Sequence, residues 1–88
     1  MRSRRTPQFK ALYERLPEIA QRDADAAYQQ FKRDPNHPGL NFKRLFGPLH
    51  SARVGRNYRA LAGREGETWV WFWIGTHSEY DKLLDIMR

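Results

Sequence analysis

The 88 residues contain no cysteine, which excludes a disulfide frame, a thiolate zinc site and a cysteine nucleophile. Long apolar runs are missing as well, and none approaches the roughly 18–20 residues of a membrane span. The opening "MRSRRTPQ" is basic with no apolar stretch behind it, unlike a secretory signal. These absences make a cytoplasmic location the expectation, with no membrane partner. Histidine is scarce, and His37, His50 and His77 neither cluster nor sit at metal-ligand spacing with acids. "GREGE" lacks the spacing and the Lys-Ser/Thr ending of a phosphate loop, and no serine lies in an elbow motif. No metal and no cofactor is expected. A chain this short has room for one small domain, 1–88, with a single core.

Acid is missing from the middle of the chain. Residues 40–64 carry Lys43, Arg44, Arg53, Arg56, Arg59 and Arg64 and no Asp or Glu. Around that block the net charge is +4 over residues 1–16, −1 over 17–39 and −3 over 65–88, for a total of +6. Six cations without an anion are an electrostatic footprint for a polyanion, with nucleic acid ahead of an acidic protein.

What is present reads as helices, then strands, then a helix. Thr6-Pro7 is a helix start, with Thr as N-cap and Pro at the first helical position. Apolar residues then recur at helical spacing from Phe9 to Phe31, interrupted by Pro17. Two helices near 7–15 and 17–33 follow from that. "LNFKRLFG", "SARVG", "NYRALA" and "TWVWFWIG" are short, β-branched or aromatic, and separated by turn signals. Four such strands with short connections predict an antiparallel meander. A last helix can open after Gly75, where Thr76-x-x-Glu79 and Ser78-x-x-Asp81 both have capping-box spacing. The expected class is α+β, an N-terminal helical hairpin on a small antiparallel sheet with a short C-terminal helix.

The strand "WVWFWIG" is apolar on both faces. Strict alternation puts Val70, Phe72 and Ile74 on the face under the helices, and Trp69, Trp71 and Trp73 on the other. Those tryptophans then form either a partner surface or a second buried layer. Chemistry is carried best by the basic strands with His77 and Tyr80. RNA cleavage by its own 2′-hydroxyl needs a base, cations on the phosphorane and an acid for the departing 5′-oxygen. Arg53, Arg56, Arg59, His77 and Tyr80 are residue types for those parts, with a tryptophan or Tyr58 for base stacking. A plainer role stands beside each: solvated sheet arginines, a loop histidine, a core tyrosine.

The segments "FKALYERLPEIAQRDADAAYQQF", "LNFKRLFG", "SARVGRNYRAL" and "WFWIGTHSEYD" resemble, in that order, the RelE/ParE superfamily of bacterial type II toxins. The likeness runs from about Thr6 to Leu84. "ARVGRNYRAL" is similar to the superfamily's R-V-x-x-x-Y-R pattern, and "IGTHSEYD" to its G-[ST]-H-x-x-[LY] ending. The resemblance implies a helical hairpin against a strongly twisted sheet and a cognate antitoxin as partner. It implies one of two targets: the RelE-like branch cleaves mRNA on the ribosome without metal, and the ParE-like branch poisons DNA gyrase. Carried over, Arg59 matches the arginine on the scissile phosphate, Arg53 a basic position of the preceding strand, His77 a general acid. Tyr80 lies near a catalytic or stacking aromatic.

The function expected is therefore an mRNA endoribonuclease toxin that inhibits translation. Its catalytic set would be Arg59, His77, Arg53 and Tyr80, with Lys43, Arg44, Arg56 and Tyr58 contacting RNA. A gyrase inhibitor, or a degenerate chain that only binds antitoxin, are the alternatives. Two departures accompany the likeness. A basic residue common two positions before Arg53 is Ser51 here, beside His50, and the usual N-terminal strand is reduced to "MRSRR" or missing.

Overall fold

Pro17 divides the helical run where the sequence places the break, because a proline ring cannot sit inside a helix. In the computed structural model, which describes residues 2–88, the hairpin consists of α1 (Pro7–Glu14) and α2 (Glu18–Arg33). The Thr6 hydroxyl accepts the Phe9 amide at 3.1 Å to cap α1. Across the hairpin the Gln21 side chain donates to the Tyr13 carbonyl at 3.0 Å, and the Tyr13 hydroxyl to Asp25 at 2.8 Å. That last bond raises the Tyr13 pKa above its ordinary value, with desolvation adding to it.

After a 3-10 turn at Pro38–Leu40 come β2 (Lys43–Phe46), β3 (Leu49–Val54), β4 (Tyr58–Glu65) and β5 (Thr68–Thr76). They pair as the expected antiparallel meander. The architecture is the expected α+β one, with an addition at the edge. β1 (Arg2–Arg5) runs parallel to β5, pairing Arg2 with Thr68 and Arg5 with Trp71, so the order is β1-β5-β4-β3-β2 and the sheet is mixed. Of the two readings of "MRSRR", a reduced strand or a missing one, the reduced strand is what forms. Ser3 ties it down, accepting from the Trp71 indole at 3.2 Å while its hydroxyl donates to Tyr28 at 2.9 Å.

The alternation expected along β5 breaks at Phe72. Ala62 of β4 pairs with Trp71 and Leu61 with Trp73, so Phe72 is the extra residue of a bulge. Trp69, Trp71 and Ile74 consequently share the hairpin face, and Trp73 crosses to the other. This corrects the proposed split of Val70, Phe72 and Ile74 against the tryptophans. Trp69 and Trp71 are core: only 8% and 4% exposed, they meet Phe31 edge to face at centroid distances of 6.4 and 5.0 Å.

On the opposite face lies α3 (His77–Met87), whose Tyr80 and Leu84 pack on Leu49 and Leu61. Of the two capping boxes in the sequence, Thr76 with Glu79 is the one formed. The Glu79 amide donates to the Thr76 hydroxyl at 3.1 Å, and the Thr76 amide to the Glu79 carboxylate at 2.8 Å. Thr76→Ala is expected to cost about 1 kcal/mol in a urea melt, enough to fray α3 before the sheet. Among the described residues no helix is long and apolar enough to cross a membrane.

Candidate active site

The α3 face of the sheet has an apolar half and a basic half. Helix α3 covers the apolar half, around Leu49, Leu61 and the partly buried Trp73. The other half remains open as a groove of about 310 Å³ between the sheet and α3. Strand alternation decides what enters it. Ser51 and Arg53 of β3 share this face with Arg59 and Leu61 of β4, while Ala52, Val54, Ala60 and Ala62 turn to the hairpin core.

Arg53 and Arg59 are directly opposed in the β3–β4 pairing. Like charges in opposed positions repel, and among the described residues neither guanidinium has a salt-bridge partner. Each is steered by its own backbone instead: Arg59 donates to the Tyr58 carbonyl at 2.8 Å and Arg53 to the Gly55 carbonyl at 3.3 Å. Among the described residues one donor of each is used in this way, which leaves the other N–H groups open to a ligand.

Position 51 is less of a departure than the sequence implies. Lys43 of β2 lies directly opposite Ser51 and lines the same groove, so a cation stands beside the serine on the neighbouring strand. Ser51 itself is buried. His50 offers no substitute. Its ring is on the hairpin side, stacked on Phe42 at 5.2 Å and against Trp69 at 4.5 Å.

His77 opens α3, and its backbone amide donates to the Asn57 carbonyl at 2.8 Å, fastening the helix start to the β3–β4 turn. The imidazole meets Tyr80 edge to face at 6.0 Å, and its Nδ1 lies 3.6 Å from the Asp81 carboxylate one helical turn on. Tyr80 is both things the sequence allowed: buried in the Leu61 and Leu84 cluster, and with an edge in the groove wall. The four residues read as catalytic, Arg53, Arg59, His77 and Tyr80, line one groove together with Lys43.

The other three expected RNA contacts lie elsewhere. Arg44 turns away from Lys43, as adjacent strand residues must, and donates to the Gly47 carbonyl at 2.9 Å. Arg56 is exposed in the β3–β4 turn, outside the groove lining. Tyr58 packs against the hairpin core. Asp81 and Ser51 also line the groove, although the sequence gives neither a place in the site. The spacing of four from His77 on a capped helix was the available signal for Asp81.

A small α+β domain with a helical hairpin on one sheet face and a cationic groove on the other matches a known class. The ParE-like toxin domain family matches residues 18–82, and the chain belongs to it. The resemblance to RelE/ParE toxins read from the sequence therefore holds. Among solved structures, the RelB-RelE antitoxin-toxin complex from Methanococcus jannaschii is similar with a TM-score of 0.70 and 17% identity, over 89% of this chain and 95% of that one. YafQ from Escherichia coli BL21(DE3) gives 0.67 and 12%, over 91% and 98%. The RelBE2 toxin-antitoxin complex from Mycobacterium tuberculosis gives 0.65 and 24%, over 86% and 96%. At these identities the likeness is one of fold. No curated protein matches the sequence.

Proposed function

We propose that this toxin-family chain is an mRNA endoribonuclease acting on the ribosome, and that it inhibits translation without a metal or cofactor of its own. The observation that carries this is Arg53 and Arg59, opposed and without a salt-bridge partner among the described residues, with His77 on the facing wall of one groove. Two guanidiniums would grip the non-bridging oxygens of the scissile phosphate and stabilise the phosphorane, where their repulsion is offset by the anion. The 2′-oxygen attacks phosphorus, its proton passing to Asp81, the carboxylate of the groove. The bond to the 5′-oxygen breaks, and the His77 imidazolium protonates that oxygen. Lys43 extends the positive floor along the strand, and Tyr80 sets one side of the imidazole.

The products of such a step are a 2′,3′-cyclic phosphate and a 5′-hydroxyl. A translating extract given the purified chain should accumulate both ends within coding sequence. His77→Ala should slow that cleavage by about 10²-fold or more, with little change in thermal stability because the side chain is exposed. Cleavage unchanged in that variant would remove His77 from the mechanism.

The partner expected is a cognate antitoxin. Two of the similar structures are antitoxin-toxin complexes, and the exposed cations of the groove would suit an acidic antitoxin segment. The family matched is the ParE-like one, and this favours gyrase inhibition as the second reading. Induction would then give cleaved DNA and an SOS response with RNA intact.

A further inference from the structure

The first turn of α3 is a wall between two grooves. His77, Tyr80 and Asp81 face the cationic groove, and Thr76 and Glu79 face another of about 290 Å³ on the far side. Its other walls include Arg15 and Leu16 just past the end of α1, Tyr58 at the start of β4, and Trp73.

Trp73 is fixed by its surroundings. It pairs with Leu61 and packs on the small cluster beneath α3. Its ring folds back along its own strand over Gly75, where an added Cβ would come within 2.6 Å of two ring carbons. Gly75 in turn pairs with Arg59. The indole and the guanidinium assigned to the phosphate therefore occupy one sheet face at neighbouring positions. Glu79 supplies the acceptor. The Thr76 amide holds one carboxylate oxygen, and an ionised carboxylate has further lone-pair sites to offer. Those capping bonds, with Arg15 nearby, hold its pKa below the usual carboxylate value, so it is acceptor-only at neutral pH.

Resting on the nuclease reading above, we propose that this second groove is a guanine subsite for the RNA strand whose phosphate lies on Arg53 and Arg59. The base stacks on Trp73, and its N1–H and N2–H donate side by side to the Glu79 carboxylate. Guanine is the base with two adjacent donors on that edge. Adenine and cytosine set a ring-nitrogen acceptor beside their amino group, and uracil flanks one N–H with two carbonyls, so each would aim a lone pair at the carboxylate.

The test titrates 5′-GMP and 5′-AMP separately into the purified 88-residue chain and follows the Trp73 indole N–H by NMR, assigned with Trp73→Phe. The expected result is a saturable shift with GMP at concentrations about tenfold lower than with AMP. Glu79→Gln keeps the capping box, since glutamine serves at that position too, and should erase the tenfold difference. A Trp73 signal that stays put, equal response to the two nucleotides, or discrimination surviving in Glu79→Gln overturns the subsite. RNA cleavage by the same preparation, added to a translating extract, is scored separately. Discrimination with intact RNA retains the guanine site and removes the nuclease reading, whereas cleavage with a silent Trp73 does the reverse.

Discussion

Arg59→Ala loses RNA cleavage by about 10²–10³-fold, the range seen when one preorganised transition-state donor is removed, while the fold stays intact. The two halves of that expectation have separate causes. Cleavage falls because Arg59 is one of two guanidiniums that the β3–β4 register sets opposite each other in the groove. Stability holds because the truncation loses one bond to the Tyr58 carbonyl and relieves the repulsion from Arg53, terms of opposite sign and each on the order of 1 kcal/mol. Phosphate offers a simple readout. Inorganic phosphate that occupies the pair raises the melting temperature of the wild type by linkage, and Arg59→Ala should lose most of that rise.

Phe31→Ala has the largest expected effect on stability. Phe31 is 1% exposed, and its ring is met edge-on by Phe42, Trp69 and Trp71 at 5.0, 6.4 and 5.0 Å. Removing a fully buried phenyl costs about 3–5 kcal/mol, against a total of about 5–15 kcal/mol for a domain. A urea melt of the variant should show a midpoint lowered by about a fifth or more. A small shift would mean that the aromatic cluster between hairpin and sheet is not what holds the two layers together.

Helix boundaries were legible because they rest on local chemistry. Thr6-Pro7, Pro17 and Thr76-x-x-Glu79 each act within one helical turn. The bulge at Phe72 was not, because a strand apolar at every position gives the period no contrast by which to register a slip. Whether "MRSRR" forms a strand was left open for a related reason: four polar residues owe their conformation to hydrogen bonds from β5, distant in sequence. At the site, Arg53 and Arg59 could be found from the acid-free basic block and the alternation of two strands. The same alternation separates Lys43 from Arg44, neighbours that must point to opposite faces. What could not be read was the pairing of Lys43 with Ser51, since β2–β3 register is a tertiary fact. Charge offered three RNA-contact candidates and aromaticity a fourth, Tyr58, and of these the sheet keeps Lys43 in the groove.

The measurement closest to the central claim is a map of new RNA 5′ ends shortly after induction of the wild-type chain, beside Arg59→Ala. New ends inside translated frames in the wild type, absent from the variant, are the predicted result. Growth arrest with no new ends, or the same ends in both, would contradict a nuclease built on the Arg53–Arg59 groove.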